Sequence, residues 1–190
     1  MAKFFGNLHL VLAVGLAAAI AVMLYFGSAV PVDGKTVLSW FHVFFGILWI
    51  GLLYYLNFVQ VPTMPSIPAE QKAAITGHIA PKVFFFFRYA ALLTVVTGLL
   101  LAYVKGYAHQ AMTFSGEGAL DLIGLGMWLA LIMAFNVWFI IWPAQKKILG
   151  IVEATAEEKA AAAPRALAAS RTNLLLSLPM LWAMANANLG

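Results

Sequence analysis

Residues 37–59 read VLSWFHVFFGILWIGLLYYLNFV, with no Asp, Glu, Lys or Arg anywhere in the run. A bilayer core of about 30 Å is crossed by roughly 20 apolar residues in helical form, so this stretch is long enough to span by itself. Asp33, Gly34 and Lys35 precede it, and a proline-bearing segment at 61–81 follows. Working outward, four more segments have the same character: 8–29, 83–104, 119–142 and 173–189. The last is the shortest and contains Pro179, which in a membrane helix kinks more often than it terminates. The expected fold is an all-α integral membrane bundle of five transmembrane helices, one domain over residues 1–190.

Composition points the same way. Hydrophobic residues make up 64% of the 190-residue chain and charged residues 9%, with a mean hydropathy of +0.93. A soluble domain carries about 25% charged residues, because its surface must face water; this chain lacks the charge to dress such a surface. The absence of cysteine excludes disulfides, thiolate metal sites and covalent haem attachment. The formal charge of +4 flanks apolar segments and forms no basic stripe, so it predicts anionic lipid and no nucleic acid. The first apolar run, after Lys3, exceeds the roughly 7–15 residues of a signal-peptide core, which predicts a retained helix.

The cations fix an expected orientation. Lys3, Lys72, Lys82, Arg88, Lys146, Lys147, Lys159, Arg165 and Arg171 fall on one side, and Lys35 and Lys105 on the other. The positive-inside rule then puts the amino terminus and the 60–82 and 143–172 connections in the cytoplasm and the carboxy terminus outside. Four prolines in 61–81 (Pro62, Pro65, Pro68, Pro81) predict an ordered turn system with at most a short helix near 69–76. Thr155-Ala-Glu-Glu158 is a capping-box pattern starting a surface helix, with Pro164 interrupting it.

Polar side chains inside the spans carry the functional hypotheses, since each is costly in hydrocarbon. His42 lies about six residues into its helix, roughly 9 Å deep at 1.5 Å per residue. Gly46, Trp49 and Leu53 share its stripe by helical spacing, a face open to a flat macrocycle, and imidazole is the usual axial ligand of haem iron. The alternative is a neutral histidine bonded to a neighbouring helix. His9 sits at another depth, near the cytoplasmic interface, and His78 and His109 fall in connections. Arg88, after Phe84–Phe87, is expected to snorkel to headgroups, and Asp121 to complement a helix dipole. Asn136 is expected to bond across to another helix, Arg171, Thr172 and Asn173 to form a cap with headgroup contact, and Asn57, Asn186 and Asn188 complete the set. No paired carboxylates, nucleophile triad, phosphate loop or HExxH is present, which argues against a self-sufficient hydrolase.

Trp40-Phe-His42-Val-Phe-Phe-Gly46-Ile-Leu-Trp49-Ile-Gly51 resembles the histidine helix in the membrane domain of bacterial membrane-bound urate oxidases. More distantly it is similar to haem-binding protoporphyrinogen oxidase and copper-resistance membrane families. Ile132-Met-Ala-Phe-Asn136-Val-Trp-Phe-Ile-Ile-Trp-Pro143-Ala-Gln145-Lys146-Lys147 and Ser170-Arg171-Thr-Asn173-Leu-Leu-Leu-Ser177-Leu-Pro179-Met resemble two later segments, in the family's order. The resemblance implies a membrane domain that in longer members continues into an outer-side cytochrome c; here such a partner is expected to be a separate protein. The family's last helix ends in a histidine near the outer face, where this chain has Asn186 and Asn188. A haem b on His42 alone, or no haem, are the alternatives.

Three functional readings follow. The first is a small redox protein of the bacterial inner membrane, with His42, Gly46 and Trp49 against one b-type haem, passing electrons from a substrate or quinol to a c-type cytochrome. The second is an accessory subunit of a larger membrane complex without its own cofactor. The third, a transporter or channel, is disfavoured because the spans hold no deep ionisable residue besides histidine.

Overall fold

The computed structural model describes residues 2–187 and is all-α, its helices joined by short connections, with no strand among the described residues. After a helical turn at Ala2–Phe5 the long elements are α1 (Leu8–Phe26), α2 (Gly34–Ser66) and α3 (Ala69–Val104). A short α4 (Ala108–Thr113) precedes α5 (Ala119–Ile148) and α6 (Ala156–Asn186). Of these, α1, α2, α3 and α5 are long and apolar enough to cross a membrane. α6, with 31 residues, is not among them, because its buried Asn173 and Ser177 and its charged first half lower its apolarity.

Prolines explain the largest departures from expectation. The segment at 61–81 is helical almost throughout and breaks only around Ile67 and Pro68, where Ile67 is extended. A proline ring clashes with the carbonyl four residues back and offers no N–H. In this chain the turn before each of three prolines widens into π geometry: Leu56–Gln60 before Pro62, Ile75–Ile79 before Pro81, and Asn136–Ile141 before Pro143. The wider turn absorbs the mismatch, so α2, α3 and α5 run on past the bilayer thickness. Pro164 likewise does not interrupt α6, which is continuous through both Pro164 and Pro179.

The helix starts follow local chemistry. Asp33 accepts from the backbone N–H of Lys35 and Thr36, both at 2.9 Å, while Thr36 Oγ1 receives the Asp33 N–H, closing a capping box on α2. Thr155 and Glu158 close another on α6 as the sequence predicts. Gly150, at φ +70°, ends α5 in a left-handed turn that a side chain would strain.

α2 lies along α3, and α5 along α6; the two pairs meet in one core. Trp49 and Leu53 from α2, Phe87 and Ala91 from α3, and Met133 and Val137 from α5 are fully or almost fully buried there. Polar groups join the same interface. Asn136 Nδ2 donates to Asn173 Oδ1 at 2.9 Å, and Asn173 Nδ2 donates to the Met133 carbonyl at 2.9 Å. Asn136 thus bonds to another helix as expected, whereas Asn173 is no surface cap: it is wholly buried in the bundle. The outward faces carry Phe44, Ile47, Phe86, Leu100, Phe139 and Leu175, all exposed. No residue of α1 is buried. Such a surface needs lipid as solvent.

Candidate functional site: a histidine-bearing cleft

The cleft forms where α2, α3, α5 and the end of α6 converge beside α4. Its volume is about 260 Å³, and its lining includes His42, Thr94, Gly98, Met127, Tyr107 and Met184. His42 is half-buried. Its Nδ1 lies 2.9 Å from the Thr94 carbonyl and 3.4 Å from Thr97 Oγ1. A carbonyl can only accept, so this contact places the proton on Nδ1 and leaves the Nε2 lone pair uncommitted. Nε2 makes no hydrogen bond among the described residues. A metal-bound histidine characteristically has this arrangement, its other ring nitrogen donating to a carbonyl.

α3 is shaped for the ring. Thr94, Thr97 and Gly98 recur at i, i+3 and i+4, one helical face. A Cβ at Gly98 would lie 2.7 Å from His42 Cε1 and 3.0 Å from its Nδ1, so glycine is what admits the imidazole. Both threonine hydroxyls are turned onto their own helix, Thr94 to the Ala90 carbonyl and Thr97 to that of Leu93. Two methionine thioethers, Met127 and Met184, add soft donors. Lys105 and Tyr107 close one end; burial pushes the Tyr107 phenol up from its ordinary value, so it stays a neutral donor.

The sequence-predicted residues divide. His42 lines the cleft. Gly46 faces α3 instead, where a Cβ would meet Thr94 Cγ2 at 3.9 Å. Trp49 is wholly buried in the core, its Nε1 without a hydrogen-bond partner. Asn186 is exposed and donates to the Trp182 carbonyl of its own helix, while Asn188 lies outside the described residues. His9, His78 and His109 are exposed, and no cluster of three or more His, Asp or Glu that could hold a metal occurs among the described residues. Thr94, Thr97, Gly98, Met127 and Met184 were missed by sequence reasoning. The threonine–glycine periodicity was the available signal; nothing marked the methionines among other apolar residues.

A second polar band lies along α2 and α6. Asn57 Nδ2 donates to the Leu53 carbonyl and to Ser170 Oγ, both at 2.9 Å, and Tyr54 and Ser177 share a hydroxyl contact of 3.1 Å. Asn57 Oδ1 and Gln60 Oε1 are buried without partners. The Arg88 guanidinium lies over the Trp142 ring, its Nε donating to the Phe84 carbonyl one turn back. Asp121, in the first turn of α5, accepts from the Gly116 N–H at 3.2 Å.

No curated protein and no solved structure matches the chain. The family model described as urate oxidase N-terminal matches residues 84–189. That stretch contains the Asn136 and Asn173 segments and begins after the helix bearing His42. With the match covering more than half of its length, this all-α chain of long apolar helices belongs to the urate oxidase N-terminal family.

Proposed function

We propose that the protein is a redox subunit of the bacterial inner membrane in which His42 ligates a b-type haem through Nε2. The single observation carrying this reading is the His42 Nδ1 contact with the Thr94 carbonyl, which frees Nε2 at a cleft. The donor chemistry fits the group: an oriented imidazole, a glycine cradle and apolar walls with two thioethers. The volume of about 260 Å³ is just under the roughly 300–1,000 Å³ of small-molecule sites, so the cleft would hold one edge of a macrocycle. When bound, the haem would supply one-electron transfer. The chain's own contribution is electrostatic and steric. Thr94 fixes the tautomer, Gly98 fixes the ring's position, and Lys105 offers a cation to an acidic edge. Electrons would pass from a substrate or quinol to an outer-side c-type cytochrome.

The same reading has α6 as a fifth span, with the amino terminus in the cytoplasm and the carboxy terminus outside. Its support is the exposed row of Leu175, Leu178, Leu181 and Trp182, opposite Asn173 and Ser177, which are buried. The nine-to-two cation asymmetry supports the orientation.

The test is a reduced-minus-oxidised absorbance spectrum of the purified protein. A Soret and alpha band is expected in the wild type, and its loss in His42→Ala, with Gly46→Ala retaining it. A colourless wild type purified from haem-supplemented cells would overturn the haem assignment and leave the accessory-subunit reading.

A further inference from the structure

Arg88 is a cation with no ionic partner among the described residues. It is half-buried on α3, within an apolar stretch. Its Nε donates to the Phe84 carbonyl at 3.0 Å, one turn back. Its Cζ lies 3.3 Å from the centroid of Trp142, 5.5 Å from that of Trp138 and 5.7 Å from that of Tyr89. Trp138 is held in turn, its Nε1 donating to the Arg88 carbonyl at 3.2 Å and its ring meeting Tyr89 edge-to-face at 5.7 Å. The aromatic groups therefore fix one face of a planar cation.

Among the described residues no carboxylate joins them. The one ion pair among the described residues is Lys147 with Glu158, and the two terminal guanidinium nitrogens donate to no described residue. A desolvated cation without an anion is costly. The depth identifies what supplies that anion. Lys105 marks the opposite end of α3, and 105 − 88 gives 17 residues, about 26 Å of helix at 1.5 Å per residue. A hydrocarbon core is about 30 Å thick, so Arg88 lies at the acyl–headgroup boundary on the lysine-rich side. Trp142 and Trp138 suit that level. Lys146, one turn beyond Trp142 on the same helical face, adds a second cation with no bonded partner among the described residues.

We propose that Arg88, Trp142 and Lys146 form a binding site for the phosphate headgroup of an anionic phospholipid. The guanidinium presents two parallel N–H groups to phosphate oxygens, the geometry in which arginine binds this group best. A zwitterionic headgroup brings its own cation toward Arg88 and Lys146 and is the poorer ligand.

The experiment uses the full-length protein, delipidated in neutral detergent, with lipid binding followed by native mass spectrometry. Phosphatidylglycerol is expected to bind at one tight site, and phosphatidylcholine about tenfold or more weaker. Arg88→Gln should weaken phosphatidylglycerol about tenfold or more, the loss of a charge-assisted contact, with Arg88→Lys intermediate. Lys146→Gln, at a half-exposed position with no side-chain hydrogen bond among the described residues, should weaken it a few-fold. Equal affinity in Arg88→Gln and Lys146→Gln would overturn the proposal. So would equal binding of the two lipids, or displacement of phosphatidylglycerol by millimolar inorganic phosphate, which would mark a soluble anion site.

Discussion

The Asn136–Asn173 pair gives the sharpest test of how the two halves of the bundle hold together. Asn173 makes two bonds of 2.9 Å, one from Asn136 and one to the Met133 carbonyl; Asn136 makes one of them. Interhelical hydrogen bonds in membranes average about 0.6 kcal/mol, with a maximum near 1.7. Asn173→Ala forfeits two, roughly 1.2 kcal/mol, and leaves the Asn136 amide facing an apolar gap, worth about 1–3 kcal/mol more. The expected cost is about 2–4 kcal/mol. Asn136→Ala forfeits one bond and orphans the Asn173 oxygen, so it should cost about 0.6 kcal/mol less. The double variant orphans neither amide, so the two single costs should exceed the double by the shared bond, about 0.6 kcal/mol, plus about 1–3 kcal/mol for each amide no longer orphaned, about 2.6 kcal/mol or more together. Reversible unfolding in mixed micelles, titrated with a denaturing detergent, measures all three. A coupling below about 0.3 kcal/mol, the scatter of independent sites, would refute the bond as a tie between α5 and α6. A costlier Asn136→Ala than Asn173→Ala would refute the assignment of two bonds to Asn173.

Two other predictions follow from the same geometry. Gly98→Ala drives a methyl into the His42 ring at 2.7 Å and should cost about 1–3 kcal/mol. Gly46→Ala meets only Thr94 Cγ2 at 3.9 Å and should be neutral or stabilising by up to about 1 kcal/mol through helix propensity; unfolding midpoints that reverse this order would contradict the packing of His42 on α3. At the start of α6, Lys147, then the Thr155 backbone N–H, hold the Glu158 carboxyl below its ordinary value. A carboxyl depressed in the folded state stabilises fully above its unfolded pKa, about 4.3, and loses that contribution as pH falls through the folded value. Amides at 156–159 should therefore exchange faster only below about pH 4, after correction for intrinsic rates, and Lys147→Gln should move that onset to higher pH.

Much of this architecture was legible as hydropathy. Runs such as 37–59 contain no charge at all, and burying backbone in lipid leaves the helix as the one solution for a short apolar run. Capping at Thr155 and the cross-helix role of Asn136 were readable for a similar reason: each depends on a few neighbouring residues or on the cost of a lone amide in hydrocarbon. The helix ends near proline were not readable. Pro62, Pro81 and Pro143 look like terminators in a sequence, but a π turn two residues before each lets the helix continue, and that choice belongs to the packing on either side.

The sequence by itself determined that most of the chain is too apolar to face water and that its elements are helices, because composition and apolar run length need no partner to be interpreted. Only the tertiary structure decided which atoms meet. It turned Asn173 inward onto Met133, and brought Gly98 against the His42 ring and Met184 to the same cleft. It also folded Arg88 onto Trp142. Those pairings join residues tens of positions apart, and a helical period specifies only which face a side chain occupies, not which neighbouring helix that face will meet.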